Sequence, residues 1–340
     1  MRRASCQTLD PMKPSLRVVA KFIALAAALL VVALAIAINF GGPTTPPPLA
    51  SINDPFKSVD FSGLPPIRHF AAKDGSPLAY RFYAPIGPAA RGSVVLVHGS
   101  SASSNSMHVL AKAFSHAGFV AYALDIRGHG ASGNKGRIGY VGQLEDDVNS
   151  FVRSVSPAQP STLVGFSSGG GFVLRFAGSD RQDEFQSYLL LSPYLNQNAP
   201  NYRPGNGGWV GVGVPRIVAI ALLNTVGIRA FNDLPVIRFA LNEQAKSFLT
   251  PEYSFALAAN FQPKRDYEAN IRAVHQPVSV VAGTDDELFY TNKLESIFRA
   301  QGKTWPVTLV PGVGHISLTL DPSAVNAAVQ AVDRMQAHGV

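Results

Sequence analysis

Residues 163–176 read LVGFSSGGGFVLRF, two serines and three consecutive glycines set between apolar runs. Within them, Gly165-Phe166-Ser167-Ser168-Gly169 fits G-x-S-x-G. In that pattern a strand turns sharply into a helix and presents the central serine at a strained turn. Only Ser167 has a glycine two residues to either side, so it is the candidate nucleophile. The preceding STLV is strand-like and the following FVLRFAG is helix-like, as the pattern requires. Glycines at a helix opening cost about 1 kcal/mol each against alanine in a helix interior. Close approach of backbone to neighbours or ligand is the usual reason to accept that cost. A phosphate-binding loop is excluded because no Gly-Lys-Ser/Thr follows, and a dinucleotide loop because the spacing is not G-x-G-x-x-G.

A serine nucleophile needs a base, and the base needs an orienting carboxylate. His315 stands in LVPGVGHISL, and Asp285 and Asp286 stand together in VVAGTDDELF. Each group follows a strand-like run, and Glu287 lies within reach of either acid. The order serine, acid, histidine is the one this strand–turn–helix architecture uses. Asp125, Arg127, His98 and His129 read as structural hydrogen-bonding residues. His69, His108, His116, His275 and His338 read as surface or packing residues. No metal-ligand spacing of the H-E-x-x-H kind occurs, and no metal or cofactor is expected.

The elements that must position these groups alternate along the chain. Strand-like runs fall at 67–71, 78–83, 93–97, 119–124, 162–164, 188–191, 278–281 and 307–310, with helical stretches near 105–117, 141–155, 169–178, 291–301 and 322–337. Such alternation predicts a mostly parallel sheet covered on both faces, with the first two runs as an antiparallel edge hairpin. Loops beyond the carboxyl ends of parallel strands meet along one sheet edge, where Ser167, the acid and His315 would converge. Residues 193–275 break the alternation and read as an insertion capping the domain, with Pro215 at the first turn of a short helix. A membrane crossing near 209–228 would put Ser167 and His315 on opposite sides of a bilayer, so that reading is rejected.

The chain has 340 residues, 46% hydrophobic and 15% charged, an ordinary globular balance. Its single cysteine, Cys6, excludes an internal disulfide framework. Arg2, Arg3, Lys13, Arg17 and Lys21 against Asp10 supply +4 of the formal +7, so the basic character is N-terminal and no nucleic-acid footprint remains. After that cluster, residues 22–38 carry no charged or polar side chain. About 20 apolar residues span a bilayer as a helix, and the basic flank favours a cytoplasmic N-terminus. A cleaved signal segment is the alternative, but its apolar core is usually 7–15 residues, so an uncleaved anchor is expected. The Pro-rich GGPTTPPP then reads as a stiff linker.

With these residues in hand, 67–338 resembles the α/β-hydrolase superfamily, in its lysophospholipase and monoacylglycerol-lipase-like branch, which also holds serine aminopeptidase-like members. LVHGSSASS resembles that branch's His-Gly segment, DIRGHGASG its Asp-x-Arg-Gly-His-Gly-x-Ser pattern, GFSSGG its elbow, GTDD its Gly-x-x-Asp segment and PGVGH its histidine segment. The resemblance implies an α/β-hydrolase fold with a mostly parallel sheet of about eight strands. It implies Ser167 as nucleophile, His315 as base and, from the spacing to Gly283, Asp286 as acid. It also implies the backbone N–H groups of Ser100 and Ser168 as oxyanion donors. Phe166 and Ser168 depart from the branch's usual Gly-His-Ser-Met-Gly elbow, which bears on substrate preference. The organisation expected is a basic cytoplasmic segment 1–21, an anchor 22–38, a linker 39–60, a hydrolase core 61–192 and 276–340, and a cap 193–275. The function expected is extracytoplasmic cleavage of lipid-like carboxylic esters by a single-pass membrane protein. An aminopeptidase or amidase needs cap carboxylates to hold a substrate ammonium. The remaining alternative is a catalytically silent tethered module.

Overall fold

The computed structural model describes residues 16–50, 54–87 and 90–337. Arg2, Arg3, Cys6, Asp10, Lys13 and His338 lie outside the described residues. Strand β1 (Ile67–Ala71) buries only Phe70 and pairs antiparallel with β2 (Pro77–Tyr83), the edge hairpin that the sequence predicts. The next strands are different. Strands β3 (Ser93–Val97), β4 (Val120–Leu124), β5 (Ser161–Phe166) and β6 (Ser187–Leu191) are buried at every position. Unbroken apolar strands of this kind require cover on both faces.

That cover comes from helices on either side. Val95 and Val97 of β3 share a core with Phe151 of α3 (Gln143–Val155) and with Phe172 and Phe176 of α4 (Ser168–Ala177). The alternate residues Val94 and Leu96 face Phe114 of α2 (His108–His116) and Val332 of α10 (Pro322–Ala337). The period of two along each strand therefore feeds two cores at once. Helix α1 (Leu16–Phe40) precedes the domain and holds a 22-residue stretch, Val19–Phe40, long and apolar enough to cross a membrane.

The sheet runs β1-β2-β4-β3-β5-β6-β10-β11, with β10 (Val278–Gly283) and β11 (Val307–Val310) preceding and following α9 (Leu294–Ala300). All neighbours from β4 onward are parallel. Eight strands, mostly parallel and flanked by helices, agree with the sequence expectation.

Residues 193–275 stand between β6 and β10. They contain helices α5 (Val214–Thr225), α6 (Glu243–Phe248), α7 (Phe255–Asn260) and α8 (Tyr267–Ala273). They also form a separate antiparallel sheet of β7 (Val210–Val212), β8 (Pro235–Phe239) and β9 (Glu252–Ser254), which sequence reasoning did not anticipate. Helix α5 has Pro215 in its first turn and ends after 12 residues. It is about 18 Å long, too short for a bilayer core of about 30 Å.

Each glycine after Ser167 has its own spatial reason. A Cβ on Gly169 would stand 2.2 Å from the His98 carbonyl oxygen, and one on Gly170 would stand 2.9 Å from that of Gly165. On Gly171 it would stand 2.4 Å from the Tyr194 carbonyl oxygen and 2.8 Å from Pro263 Cδ. Gly171 is thus the point where α4 passes the start of the insertion. Gly171→Ala is expected to destabilise the fold by about 1–3 kcal/mol through overpacking. A lower thermal midpoint in detergent checks this, and an unchanged midpoint refutes it.

Candidate active site

Strand β5 and helix α4 meet at Ser167, which takes φ 55° and ψ −120°. Positive φ is unusual for a residue with a side chain and persists only where the surroundings enforce it. Here the Ser167 N–H donates to the Leu191 carbonyl at 2.9 Å, and the Ser167 carbonyl accepts from Gly171 and Tyr194 N–H, each at 3.0 Å. Gly165 completes the turn, because a Cβ there would lie 2.3 Å from the Gly169 carbonyl oxygen.

Two further loops arrive at this point from the carboxyl ends of β10 and β11. His315 Nε2 lies 2.9 Å from Ser167 Oγ, and His315 Nδ1 lies 2.8 Å from Asp286 Oδ2. The other carboxylate oxygen of Asp286 accepts from the Leu288 and Phe289 N–H groups, both at 2.9 Å. Asp285, its neighbour, is exposed and takes a hydrogen bond from Thr284 Oγ1 at 2.9 Å. The structure therefore joins Asp286, not Asp285, to His315. Glu287 accepts from the His315 backbone N–H at 2.9 Å and fixes the histidine loop instead of touching its ring.

Ser167, His315 and Asp286 are 8%, 2% and 0% exposed, so the chain of contacts is shielded from water. Burial by itself would raise the Asp286 carboxyl. The His315 ring charge, the hydrogen bond from that ring and the Leu288 N–H outweigh it, and Asp286 is held below the usual carboxylate range. An ionised carboxylate only accepts, so Nδ1 carries the proton in neutral His315 and Nε2 presents its lone pair to the Ser167 hydroxyl. This arrangement can take a proton from serine as it attacks an electrophilic carbon.

Two aromatic rings fix the imidazole plane. Phe166 packs on His315 at 4.8 Å between centroids and Phe289 meets it edge-on at 5.2 Å. Phe166, at the variable elbow position, thus supports the histidine, a contact that sequence spacing did not reveal.

Ser100 and Ser168 sit side by side, their hydroxyls hydrogen-bonded. Among the described residues neither backbone N–H donates to a backbone acceptor. The loop that carries Ser100 is braced from the insertion. Ser101, at φ 64°, donates its N–H to Tyr253 Oη at 2.6 Å, and its carbonyl accepts from the Thr250 N–H at 2.8 Å. Tyr253 Oη in turn meets His129 Nε2 at 2.6 Å. His129 meets His98 edge-on with centroids 4.7 Å apart, and His98 Nε2 accepts from the Ile126 N–H at 3.3 Å. Asp125 takes the Ser104 and Ala131 N–H groups at 2.7 and 2.9 Å. Arg127 pairs with Asp147 at 2.8 Å. The DIRGHGASG segment thus forms a buried brace beside Ser167. Tyr253 was missed because nothing in its local sequence marks it.

Residues 88–322 match the serine aminopeptidase, S33 family. The chain belongs to this family. A monoacylglycerol lipase of Mycolicibacterium smegmatis is 35% identical over 133 residues, which are 37% of this chain and 46% of that protein, so the match spans under half of the relative. Among solved structures, a Paleococcus ferrophilus monoacylglycerol lipase superposes with a TM-score of 0.56 at 21% identity, covering 77% of this chain and 99% of its own. A soluble variant of the Saccharomyces cerevisiae monoglyceride lipase, bound to a substrate analog, gives 0.61 at 18% identity, covering 82% and 96%. These two likenesses show the α/β-hydrolase fold. The S33 match runs through Ser167, Asp286 and His315 and includes the whole insertion.

The two buried histidines of this S33 chain, His98 and His129, give a pH dependence. Burial, joined for His129 by the charge of His98, holds the His129 ring well below its ordinary value, and burial also lowers His98. Folding therefore disfavours protonation of both rings, whereas the unfolded chain protonates each near its ordinary pKa of about 6.5. Below about pH 6.5 the unfolded state binds more protons, so stability falls with pH by up to about 1.4 kcal/mol per unit for each ring. Thermal midpoints in detergent between pH 7.5 and 5.5 are expected to fall more steeply for the wild type than for His129→Gln. Equal slopes would refute this.

Proposed function

We propose that this chain is a membrane-anchored serine hydrolase that cleaves carboxylic esters of lipid-like, monoacylglycerol or lysophospholipid type. The observation that carries the reading is the buried relay from Asp286 through His315 to Ser167, at 2.8 and 2.9 Å. In the first half-reaction His315 takes the Ser167 proton as Oγ attacks the ester carbonyl. The oxyanion forms against the Ser100 and Ser168 N–H groups, where each donor contributes about 3–4 kcal/mol to the transition state. His315 then protonates the leaving alcohol, and water repeats the cycle on the acyl-enzyme. Asp286 holds the ring and stabilises the imidazolium.

Residues 61–192 and 276–340 serve as the hydrolase core and 193–275 as its cap. Helix α1 serves as the anchor, with a cytoplasmic N-terminus and the catalytic domain on the outer side. The relatives named as monoacylglycerol lipases support a lipid ester as substrate. The amidase reading is disfavoured by charge. The five carboxylates of the insertion are all engaged: Asp233 with Arg137, Glu243 with Lys246, Glu252 with Arg238, and Asp266 and Glu268 with Arg272. A substrate ammonium bound there would have to displace one of these cations.

A membrane-impermeant fluorophosphonate applied to intact spheroplasts is expected to label the wild type and Ser168→Ala but not Ser167→Ala. Labelling that survives Ser167→Ala would remove the nucleophile assignment. Labelling that appears only after lysis would reverse the orientation and leave the chemistry standing. In the same preparation Asp286→Asn is expected to lower kcat about 10⁴-fold, while Asp285→Asn stays within about threefold of wild type. Across p-nitrophenyl esters, kcat/KM is expected to rise from acetyl to decanoyl. A maximum at acetyl would overturn the lipid-like substrate class.

A further inference from the structure

Helix α1 is exposed along nearly all its length. Among the described residues it packs on the rest of the chain through its last two turns, where Leu34, Ala37 and Ile38 face Ala219 and Ile220 of α5 and Val236 of β8. Spacings of three and four residues put those three side chains on one helical face. Arg216 of α5 closes the joint. Its Nε donates to the Ile38 carbonyl at 2.8 Å, its Nη2 to Asn39 at 3.2 Å and its Nη1 to Pro235 at 2.8 Å. These include carbonyls that a helix end leaves without partners. The backbone N–H of Arg216 also reaches the Gly41 carbonyl at 3.2 Å. A Cβ on Gly41 would stand 2.8 Å from Pro215 Cβ, so glycine is what allows the two segments to meet. The following residues stay in contact with the insertion: a Cβ on Gly211 would stand 2.0 Å from the Thr44 carbonyl oxygen, and the Leu49 N–H reaches the Ala240 carbonyl at 3.1 Å.

The face of α5 turned away from the domain is apolar. Val214, Val218 and Leu222 repeat every four residues and are 58%, 51% and 49% exposed, and Val226 and Ile228 continue the surface at 71% and 45%. Arg216 is the only charged residue of the helix, and its guanidinium is occupied by carbonyls. Depth decides what covers this stripe. The apolar stretch Val19–Phe40 has 22 residues. At 1.5 Å per residue it is about 33 Å long, against a hydrocarbon core of about 30 Å. No surplus turn remains to lift residues 34–40 clear of the bilayer, and α5 lies against those residues.

We propose that α5 is embedded in the leaflet on the catalytic domain's side, packed against the end of α1, with lipid acyl chains covering its Val214–Val218–Leu222 stripe. Anchor and insertion then enter the bilayer as one unit, and Arg216 is the positioning residue that joins them. This inference rests on the reading of α1 as a membrane anchor.

Single cysteines at Leu29→Cys, Val218→Cys, Leu222→Cys and the exposed α10 position Asn326→Cys, each in the full chain with Cys6→Ser, would carry an NBD label. The proteins would be reconstituted in phosphatidylcholine vesicles containing acyl-chain doxyl lipids. Labels at 218 and 222 are expected to shift to the blue and to be quenched most by shallow doxyl groups. The label at 29 should respond to deep doxyl groups and the one at 326 to neither. If 29 is quenched while 218 and 222 behave like 326, the embedding of α5 is overturned and the anchor stands. If 29 is not quenched, the anchor reading falls and takes this one with it. Blue-shifted labels at 218 and 222 that no doxyl lipid quenches would mean a second protein copy covers the stripe, which also overturns the proposal. Arg216→Gln is expected to lower kcat/KM several-fold on monoacylglycerol in vesicles and to leave it unchanged on a water-soluble ester in detergent. Equal losses on both would refute the positioning role.

Discussion

Ser167 can stand at φ 55° only because the space around the turn has been emptied of side chains. Gly165 and Gly169 each clear a carbonyl oxygen closer than 2.4 Å to where a Cβ would stand, and no rotamer change relieves a clash with backbone. The same clearance lets β5 turn into α4 without a longer loop. The serine oxygen then stands at the sheet edge where the loops after β10 and β11 converge. The positions of His315 and Asp286 have meaning only relative to that fixed point. The strain at one residue is offset by hydrogen bonds with two segments, α4 at Gly171 and the end of β6 at Leu191 and Tyr194.

Electrostatics follows from this packing. Asp286 loses hydration on burial and regains it from two backbone N–H groups and the His315 ring. The imidazole is confined between Phe166 and Phe289, so its orientation does not depend on the single hydrogen bond to the acid. On the other side of the serine, Tyr253 links the His98 and His129 pair to the Ser101 backbone. Polar groups this deeply buried contribute to order only when all are satisfied, which makes the brace a cooperative unit.

Much of this was legible in the sequence because it was written in local patterns. The apolar runs at 93–97, 119–124, 162–164 and 188–191 are short and continuous, and they are the strands buried on both faces. The elbow and the histidine loop carry their own glycines. Residue types alone left Asp285 and Asp286 equivalent, because they differ only in the direction of the side chain, which the fold sets. Strands β7 to β9 were not visible: VGV, PVIRF and EYS are only three to five residues long, too short to show a period of their own. Gly171 had no local reason either, since the atoms it makes room for belong to Tyr194 and Pro263. The docking of 41–49 on the insertion was hidden for the same cause, being a contact between segments more than 160 residues apart.

The insertion meets the core at many points, and two of them, its feet, stand beside the active-site loops. One is Thr250 and Tyr253, bonded to the loop of Ser101. The other is Asn201 and Tyr202, which pair with Phe289 and Tyr290 just beyond Asp286. Among the described residues, those between the feet, 203–249, make no hydrogen bond to Ser167, His315 or Asp286. The fold thus keeps two compartments apart: a frame bonded to the three aligned side chains, and a span of fewer than fifty residues that meets them through no hydrogen bond of its own.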